Sequence, residues 1–546
     1  MQTEDLPQTD VSRHDWPMTR VRISVAPYVL ALLLFCLILV CLPILATTTP
    51  PVFDYPNHLG RTYIYTHLWD NSLFREVFTF DSLLLPNVMT DIWIAVFSER
   101  IGTLAAGQLM LLLIVALTFV GAFALNAAAT KQPSTWPLLV ALFLYNEMFF
   151  WGFLNYLLGI AFLLWGCAAW LLLERRSRLG QLTATALFAL LILFSHLVAF
   201  GLFAVAIAIF EVEAGWRRRR AGVAVSLFRI GTAALVFVPA VMLYLAASPT
   251  GQLPFVMHFD QENLLFNKLS PFTRILSSGN TPFDLLILGG VVLTVLAARL
   301  RRSVSLEPRL AAVAAAFTLL AVIMPHEAMG SYLINKRIAV PSVLLFLSAL
   351  RPRDGNECQG SFATVAILAL VALRSGGLML DWQATGRNYA SILDGIRQLP
   401  EETLVIPATS LKVSDAPTWF NTTAHFPPMM HVASYATILR QSVTSNIFAR
   451  RGQNPIIFQP PSEALQKIVD HSGHRVESDS ALRDLTAQAI AVRQTDPVFA
   501  TRGVHLLLLG VTCDRWRAVI SLPPFYCGGD FSIIEIPAEF RLSPSG

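Results

Sequence analysis

The chain has 546 residues, of which 54% are hydrophobic and only 14% charged, with a formal net charge of +4. A soluble protein carries roughly 25% charged residues, so this composition excludes an ordinary soluble domain and points to a polytopic membrane protein. The small positive excess sits in short arginine clusters between apolar runs; it bears on topology, and no nucleic-acid-binding module is present.

Residues 1–22 form a polar tail. The apolar run behind them, Ile23 to Ala46, is longer than the 7–15 residue core of a cleaved signal peptide and reads as a retained first span. With a span of about 20 residues as the ruler, apolar segments follow near 27–47, 106–128, 136–151, 154–173, 181–195, 197–213, 224–246, 283–299, 309–324, 338–350 and 361–380, about 11 transmembrane helices. Pro86 to Ser98 (PNVMTDIWIAVFS) is too short to cross and carries an Asp at its centre; it is expected in the membrane interface or dipping part-way in.

Charge asymmetry supports that assignment. With the N-terminus cytoplasmic, the inner segments hold seventeen Lys and Arg residues and the outer loops before the last span hold seven, in line with the positive-inside rule. Counting Pro86–Ser98 as a crossing would put the run Arg217 to Arg220 outside. The same topology gathers on the outer side the polar residues that are hardest to explain as solvated loop or packed core: Asp54, His58, Arg61, Asp91, Glu147, Asn155, His196, Glu327, Lys336 and Arg337. They are expected to share one cavity.

The first outer loop, residues 48–105, opens with PPVFDYPNHLGRTYIY. Pro56 is a helix-start signal, and His58, Arg61 and Tyr65 then fall on one helical face. Asp91 is costly if it meets lipid, by about 2.5–3.5 kcal/mol at the bilayer centre, so it should face protein or water. The turn YNEMFFWGFLNYLLG, Tyr145 to Gly159, supplies Glu147 and Asn155; LFSHLVAF supplies His196; PHEAMGSYLINKR supplies Glu327 and the pair Lys336 and Arg337. A longer outer loop, 248–282, reads as a partly ordered flap whose Lys268 and Arg274 could meet phosphate.

Residues 381–546 alternate polar and apolar stretches, with LVIPA, VHLLLLG and FSIIEI as strands and YASILDGIRQLP and SEALQKIVDHSG as helices, enough for one soluble α/β domain. Cys513 and Cys527 are its only cysteines; they read as a disulfide in an oxidising periplasm or as two buried free thiols. No Walker signature, phosphate-binding glycine loop or GxSxG elbow is present, so energy from cytoplasmic ATP is not indicated.

A lipid-phosphate-linked sugar suits such a cavity, because its activated bond lies at headgroup depth. A carboxylate can accept the proton of an acceptor hydroxyl, and a Lys, an Arg or a metal can stabilise the departing phosphate. A first span, a long outer loop opening on an acidic residue in FDYPNHLGR, short in-plane helices, some ten further spans and a C-terminal periplasmic domain resemble the GT-C class of membrane glycosyltransferases, including the aminoarabinose transferase and protein O-mannosyltransferase group. The resemblance covers residues 23–380 as an architecture.

It implies a catalytic base or metal contact at Asp54, with Asp91 as a second carboxylate if the in-plane helix folds back, and a divalent ion (Mg or Mn) at those two residues if any. It further implies that Lys268, Lys336 and Arg337 hold the phosphate of a polyprenyl donor while His58 and Arg61 orient donor or acceptor. The expected partners are membrane lipid, a polyprenyl-phosphate-linked sugar and a glycan or lipid acceptor, at the inner membrane of a bacterium with the C-terminal domain periplasmic. A transporter or flippase of a lipid-linked or anionic solute is the alternative; it predicts polar residues through the midplane or broken helices in two related halves.

Overall fold

The computed structural model describes residues 27–174, 176–217, 222–247, 257–258, 264–328, 331–353, 357–410, 431–460, 462–468 and 474–542. Its helices in chain order are α1 (Pro27–Leu45), α2 (Tyr55–His67), α3 (Ser72–Val77), α4 (Met89–Ile101), α5 (Thr103–Thr130), α6 (Glu147–Trp151), α7 (Leu154–Leu173), α8 (Arg178–Ser195) and α9 (Leu197–Arg217). They continue with α10 (Val223–Leu235), α11 (Val238–Ala247), α12 (Leu264–Thr273), α13 (Thr281–Leu300), α14 (Pro308–Ile323), α15 (Ile334–Ala349), α16 (Glu357–Arg397), α17 (Tyr435–Arg440), α18 (Leu465–Ile468), α19 (Asp479–Thr495) and α20 (Cys513–Val519). Among the described residues, eight helical segments are long and apolar enough to cross a membrane, α10 and α11 counting together as one. The expected spans at 136–151, 309–324 and 338–350 are also helical but shorter: a 3-10 segment Trp136–Phe143 followed by α6, then α14 and α15.

Burial sorts these helices. In α7, 72% of the apolar window is buried inside the protein, against 17% for the α10 and α11 segment, so α7 is central and α10–α11 face outward. α7 packs on α5, α8 and α9, and α14 lies along α15. The expected Pro86–Ser98 helix is present as α4 and packs on α2 and α5.

Chain order alternates the ends of the bundle. One end collects the α1–α5 connection, the α6–α7 turn, the α8–α9 turn, α12 and the start of α15; the opposite end collects Arg178, Arg217, Arg229 and Arg309, tied to Glu174, Glu211 and Glu307. Arg374, an arginine inside the last span, meets Asp284 of α13 at 2.9 Å and donates to the carbonyls of Tyr145 and Leu276. A buried charge persists when it is paired and hydrogen-bonded; Asp284 and the two carbonyls do this for Arg374, although its Nε has no partner.

The expected strands LVIPA, VHLLLLG and FSIIEI are all present. They lie in a six-stranded sheet, which runs His474–Arg475, Leu404–Thr409, Val504–Leu509, Phe531–Glu535, Tyr526–Cys527, with Val443–Thr444 pairing parallel to Leu404–Val405. Leu404–Thr409 and Val504–Leu509 are parallel and buried at every position, which is why both read as continuous apolar runs. Cys513 and Cys527 are disulfide-bonded. Of SEALQKIVDHSG, Ser462–Ala464 and Leu465–Ile468 are short helical turns and 469–473 lie outside the described residues.

Two boundaries differ from the sequence reading. The segment YASILDGIRQLP is not a separate helix but the end of α16, which runs unbroken from the last span through residue 381. The C-terminal domain also borrows the first loop: Ile64, Leu68, Leu73, Phe74, Val77 and Phe78 belong to its hydrophobic core, and Phe78–Phe80 pairs antiparallel with Ile456–Phe458. Of the expected flap, Met257–His258 pairs with Glu327–Ala328 and α12 docks against α14 and α15.

Candidate active site

The α1–α2 connection is held by backbone bonds. Phe53 and Asp54 donate their N–H groups to the carbonyls of Phe150 and Trp151, so the first loop is stitched to the α6 turn. That turn ends at Gly152, with φ +82 and a Cβ position only 2.8 Å from the Asp54 nitrogen. A positive φ and a close backbone approach each call for glycine.

Asp54 is the N-cap of α2, yet its side chain makes no cap hydrogen bond. An Asp at this position ordinarily accepts from an amide of the first turn. Here the carboxylate instead lies with Oδ1 3.4 Å from His431 Nε2. Burial pushes its pKa up to about 8, while the charges of Arg337 and Arg61 pull it down.

One helical face of α2 does carry His58 and Arg61, as expected, and both are buried. Arg61 grips Asp91 of α4 in a two-pronged pair, Nε to Oδ1 at 2.8 Å and Nη2 to Oδ2 at 2.7 Å, and Thr62 donates to Oδ1 at 3.1 Å. Asp91 is fully buried. The in-plane helix therefore does fold back on α2, but it delivers Asp91 to Arg61 and not to Asp54; the expectation of a second catalytic carboxylate is replaced by a structural ion pair. Arg61 also lies 3.0 Å from His58 Nδ1. Burial and the Arg61 charge hold the His58 imidazole well below its ordinary pKa, against a hydrogen bond to the Gly152 backbone.

Asn155, expected among the substrate contacts, receives the Thr90 N–H and donates to the Asn87 carbonyl. It supplies the cap that α4, beginning after Val88, cannot make for itself. Glu147 and Lys336 form a 2.6 Å ion pair that ties α6 to the start of α15. Lys268 donates to the Met324 carbonyl, and Glu327 lies half-buried in a two-residue strand. These residues stand at the same end of the bundle, but their polar contacts bind elements to one another.

Arg337 is different. It is buried, its Nη1 lies 3.0 Å from His196 Nε2, its guanidinium stacks 4.2 Å over Phe153, and its Nε has no partner. No carboxylate pairs with it among the described residues.

Sequence reasoning missed His431, Asn446 and Phe448, which reach the site from the C-terminal domain. Asn57 accepts the Phe448 N–H at Oδ1 and donates to the Asn446 carbonyl and toward His431 Nδ1. The signal in the sequence was an Asn directly after Pro56, polar and yet bound for burial, but nothing local names its partners 374 and 389 residues away.

Among the described residues no group of three or more His, Cys, Asp or Glu is placed to hold a metal ion, and the Asp91 oxygens are occupied by Arg61 and Thr62. Among the described residues, Asp54 and Asp91 do not together fit a divalent cation.

Fold and site together define a polytopic helical membrane protein whose ionisable end is closed by its C-terminal domain. Over 95% of its length the chain is similar to ArnT from Cupriavidus metallidurans, with 99% of the solved chain covered: in the apo state at 12% identity and TM-score 0.46, and bound to undecaprenyl phosphate at 14% identity and TM-score 0.45. No family model and no curated protein matches.

Proposed function

We propose that the protein is a glycosyltransferase that moves a sugar from a polyprenyl-phosphate carrier to a cell-envelope acceptor at the outer face of the bacterial inner membrane. The observation that carries this reading is the buried Asp54 carboxylate, without a cap hydrogen bond, in the field of an arginine, Arg337, that has no carboxylate partner among the described residues. The positive-inside count of the sequence supports an outer position for this end, and the sequence carries no ATP-binding signature, in keeping with an activated donor that brings its own energy.

In the reaction the acceptor hydroxyl oxygen bonds to the anomeric carbon of the sugar while the bond from that carbon to the phosphate oxygen breaks. The electron pair leaves with the phosphate, and the hydroxyl proton passes to the Asp54 carboxylate, which is a general base. Negative charge grows on the departing polyprenyl phosphate, and Arg337, which has no carboxylate partner among the described residues, stabilises it in a low-dielectric setting. Arg61, committed to Asp91, acts on Asp54 through its field only. The transporter reading gains no support from the interior, where Arg374 is neutralised by Asp284.

The test is transfer in liposomes holding the purified protein, a panel of radiolabelled polyprenyl-phosphate hexoses and pentoses and extracted envelope glycolipids, read as release of free polyprenyl phosphate. Wild type should release it with at least one donor and Asp54→Asn should not, at equal expression and insertion. Release by Asp54→Asn removes the base assignment.

A further inference from the structure

Of the C-terminal-domain residues described at this end, His431 faces Asp54, and its hydrogen bonds assign its protonation. His431 is the N-cap of the 3-10 turn Val432–Ser434 and is fully buried. Its Nδ1 lies 3.1 Å from Asn57 Nδ2 and 3.2 Å from Asn446 Nδ2. The Asn57 amide cannot be flipped, because its Oδ1 takes the Phe448 N–H at 2.8 Å and its Nδ2 gives to the Asn446 carbonyl at 2.8 Å. Nδ1 therefore accepts, and a neutral imidazole that accepts at one nitrogen carries its proton on the other. Burial favours that neutral form, pushing the imidazole pKa down to about 3.

The protonated nitrogen is Nε2, a buried atom that makes no hydrogen bond in this structure and has Asp54 Oδ1 3.4 Å away, within reach of one after a small shift. Phe53 and Phe448 hold the ring edge-on, with centroids 4.8 and 5.2 Å away. The ring cannot turn away without losing both amide contacts and both aromatic ones.

We propose that His431 is a positioning residue for Asp54: its Nε2–H, aimed by Asn57 and Asn446, fixes one carboxylate oxygen and leaves the other for the acceptor hydroxyl. This rests on Asp54 being the base. A donor to the ionised form favours ionisation, so the C-terminal domain sets how much of Asp54 is competent at neutral pH. It also ties competence to docking of that domain on the first loop, since Asn446 and Phe448 aim the ring from the same segment. Among the described residues, the other charges acting on Asp54 are Arg337 from α15 and Arg61 from α2, with His58 beside Arg61 and His196 beside Arg337. All remain unchanged in the variants below.

Two substitutions separate positioning from mere anchoring. In His431→Gln the terminal amide nitrogen falls near the place of Nε2 and keeps a donor toward Asp54, at the expense of the contacts to the asparagines. In His431→Asn the shorter amide stays near Nδ1, keeping those contacts and losing the donor.

The readout is the infrared carboxylic-acid C=O band of Asp54 in the purified full-length protein, identified by subtracting Asp54→Asn and titrated with pH, with no substrate present. Positioning predicts a titration in His431→Gln close to wild type and one in His431→Asn displaced upward by about one pH unit, a tenfold change in the ionisation constant. Transfer by His431→Asn at pH 7 should then fall about tenfold, recover as the pH rises, and leave the KM for donor unchanged.

If His431→Asn titrates like wild type while His431→Gln unfolds, His431 is an anchor only and the proposal fails. That outcome is independent of the enzyme reading, which fails separately if Asp54→Asn still transfers sugar.

Discussion

Removing the Asp91 carboxylate tests how the first loop is held. Asp91→Ala leaves Arg61, which is 1% exposed, without a counter-charge. Two hydrogen bonds of 2.8 and 2.7 Å and the Thr62 contact are lost together. Breaking a buried pair by deleting one partner costs about 3–5 kcal/mol, because the surviving charge stays desolvated.

The Arg61→Met/Asp91→Leu pair replaces both charges by apolar groups and should recover most of that loss, since buried pairs exchanged for apolar residues are often neutral. The assay is the thermal midpoint of detergent-solubilised protein by fluorescence-detected size exclusion. The single variant should melt well below wild type and the double variant near it. If Asp91→Ala is as stable as wild type yet transfers no sugar, Asp91 acts in the chemistry and the reasoning that assigns it to Arg61 is wrong.

The Asp54 pKa gives two signatures of opposite sign. Transfer by a base with pKa about 8 should rise about tenfold per pH unit below that value and level above it. The folded pKa exceeds the ordinary 3.8, so the stability linked to Asp54 is complete below about pH 4 and is lost as pH rises through about 8. Asp54→Asn should flatten this alkaline loss in thermal melts. Gly152→Ala forces a side chain into positive φ, costing about 1–3 kcal/mol, and drives its Cβ against the Asp54 backbone. Gly102→Ala is the control: φ is +80 but nothing lies within 4 Å of its Cβ position, so it should lose similar stability and keep transfer. Equal transfer losses in both would show that the Gly152–Asp54 approach does not matter.

What the sequence made legible was what local pattern encodes. Apolar length found the helices, including the short α4, and the continuous apolar runs found the central strands. The Pro56 signal put His58 and Arg61 on one face of a helix that does start there. Partnership was not legible. Asp91 looked like a spare carboxylate because its cation lies 30 residues upstream on another helix, and Asn155 looked like a ligand because the helix it caps belongs to the first loop. The domain boundary misled for a related reason: hydropathy falls near residue 380, but α16 does not end there, since a helix needs continuous backbone pairing and not uniform polarity.

The arginines of this fold carry the argument for an anionic reactant. Burying a guanidinium costs several kcal/mol unless an acid and hydrogen bonds compensate. Arg61 has Asp91, and Arg374 has Asp284 with two carbonyls. Arg337, also buried and packed on Phe153, has an imidazole on one side, an Nε without a hydrogen-bond partner and no carboxylate among the described residues. Arg374 also has an Nε without a hydrogen-bond partner, so what sets Arg337 apart is the lack of a carboxylate among the described residues, a deficit that an incoming anion would relieve. An anion bound there raises the Asp54 pKa by repulsion and so opposes ionisation while the donor phosphate is in place. The Nε2–H of His431 favours ionisation of the same carboxylate. In the proposed reaction the balance between these two neighbours, Arg337 toward the leaving group and His431 toward the base, would decide whether Asp54 can take a proton when donor and acceptor are both bound.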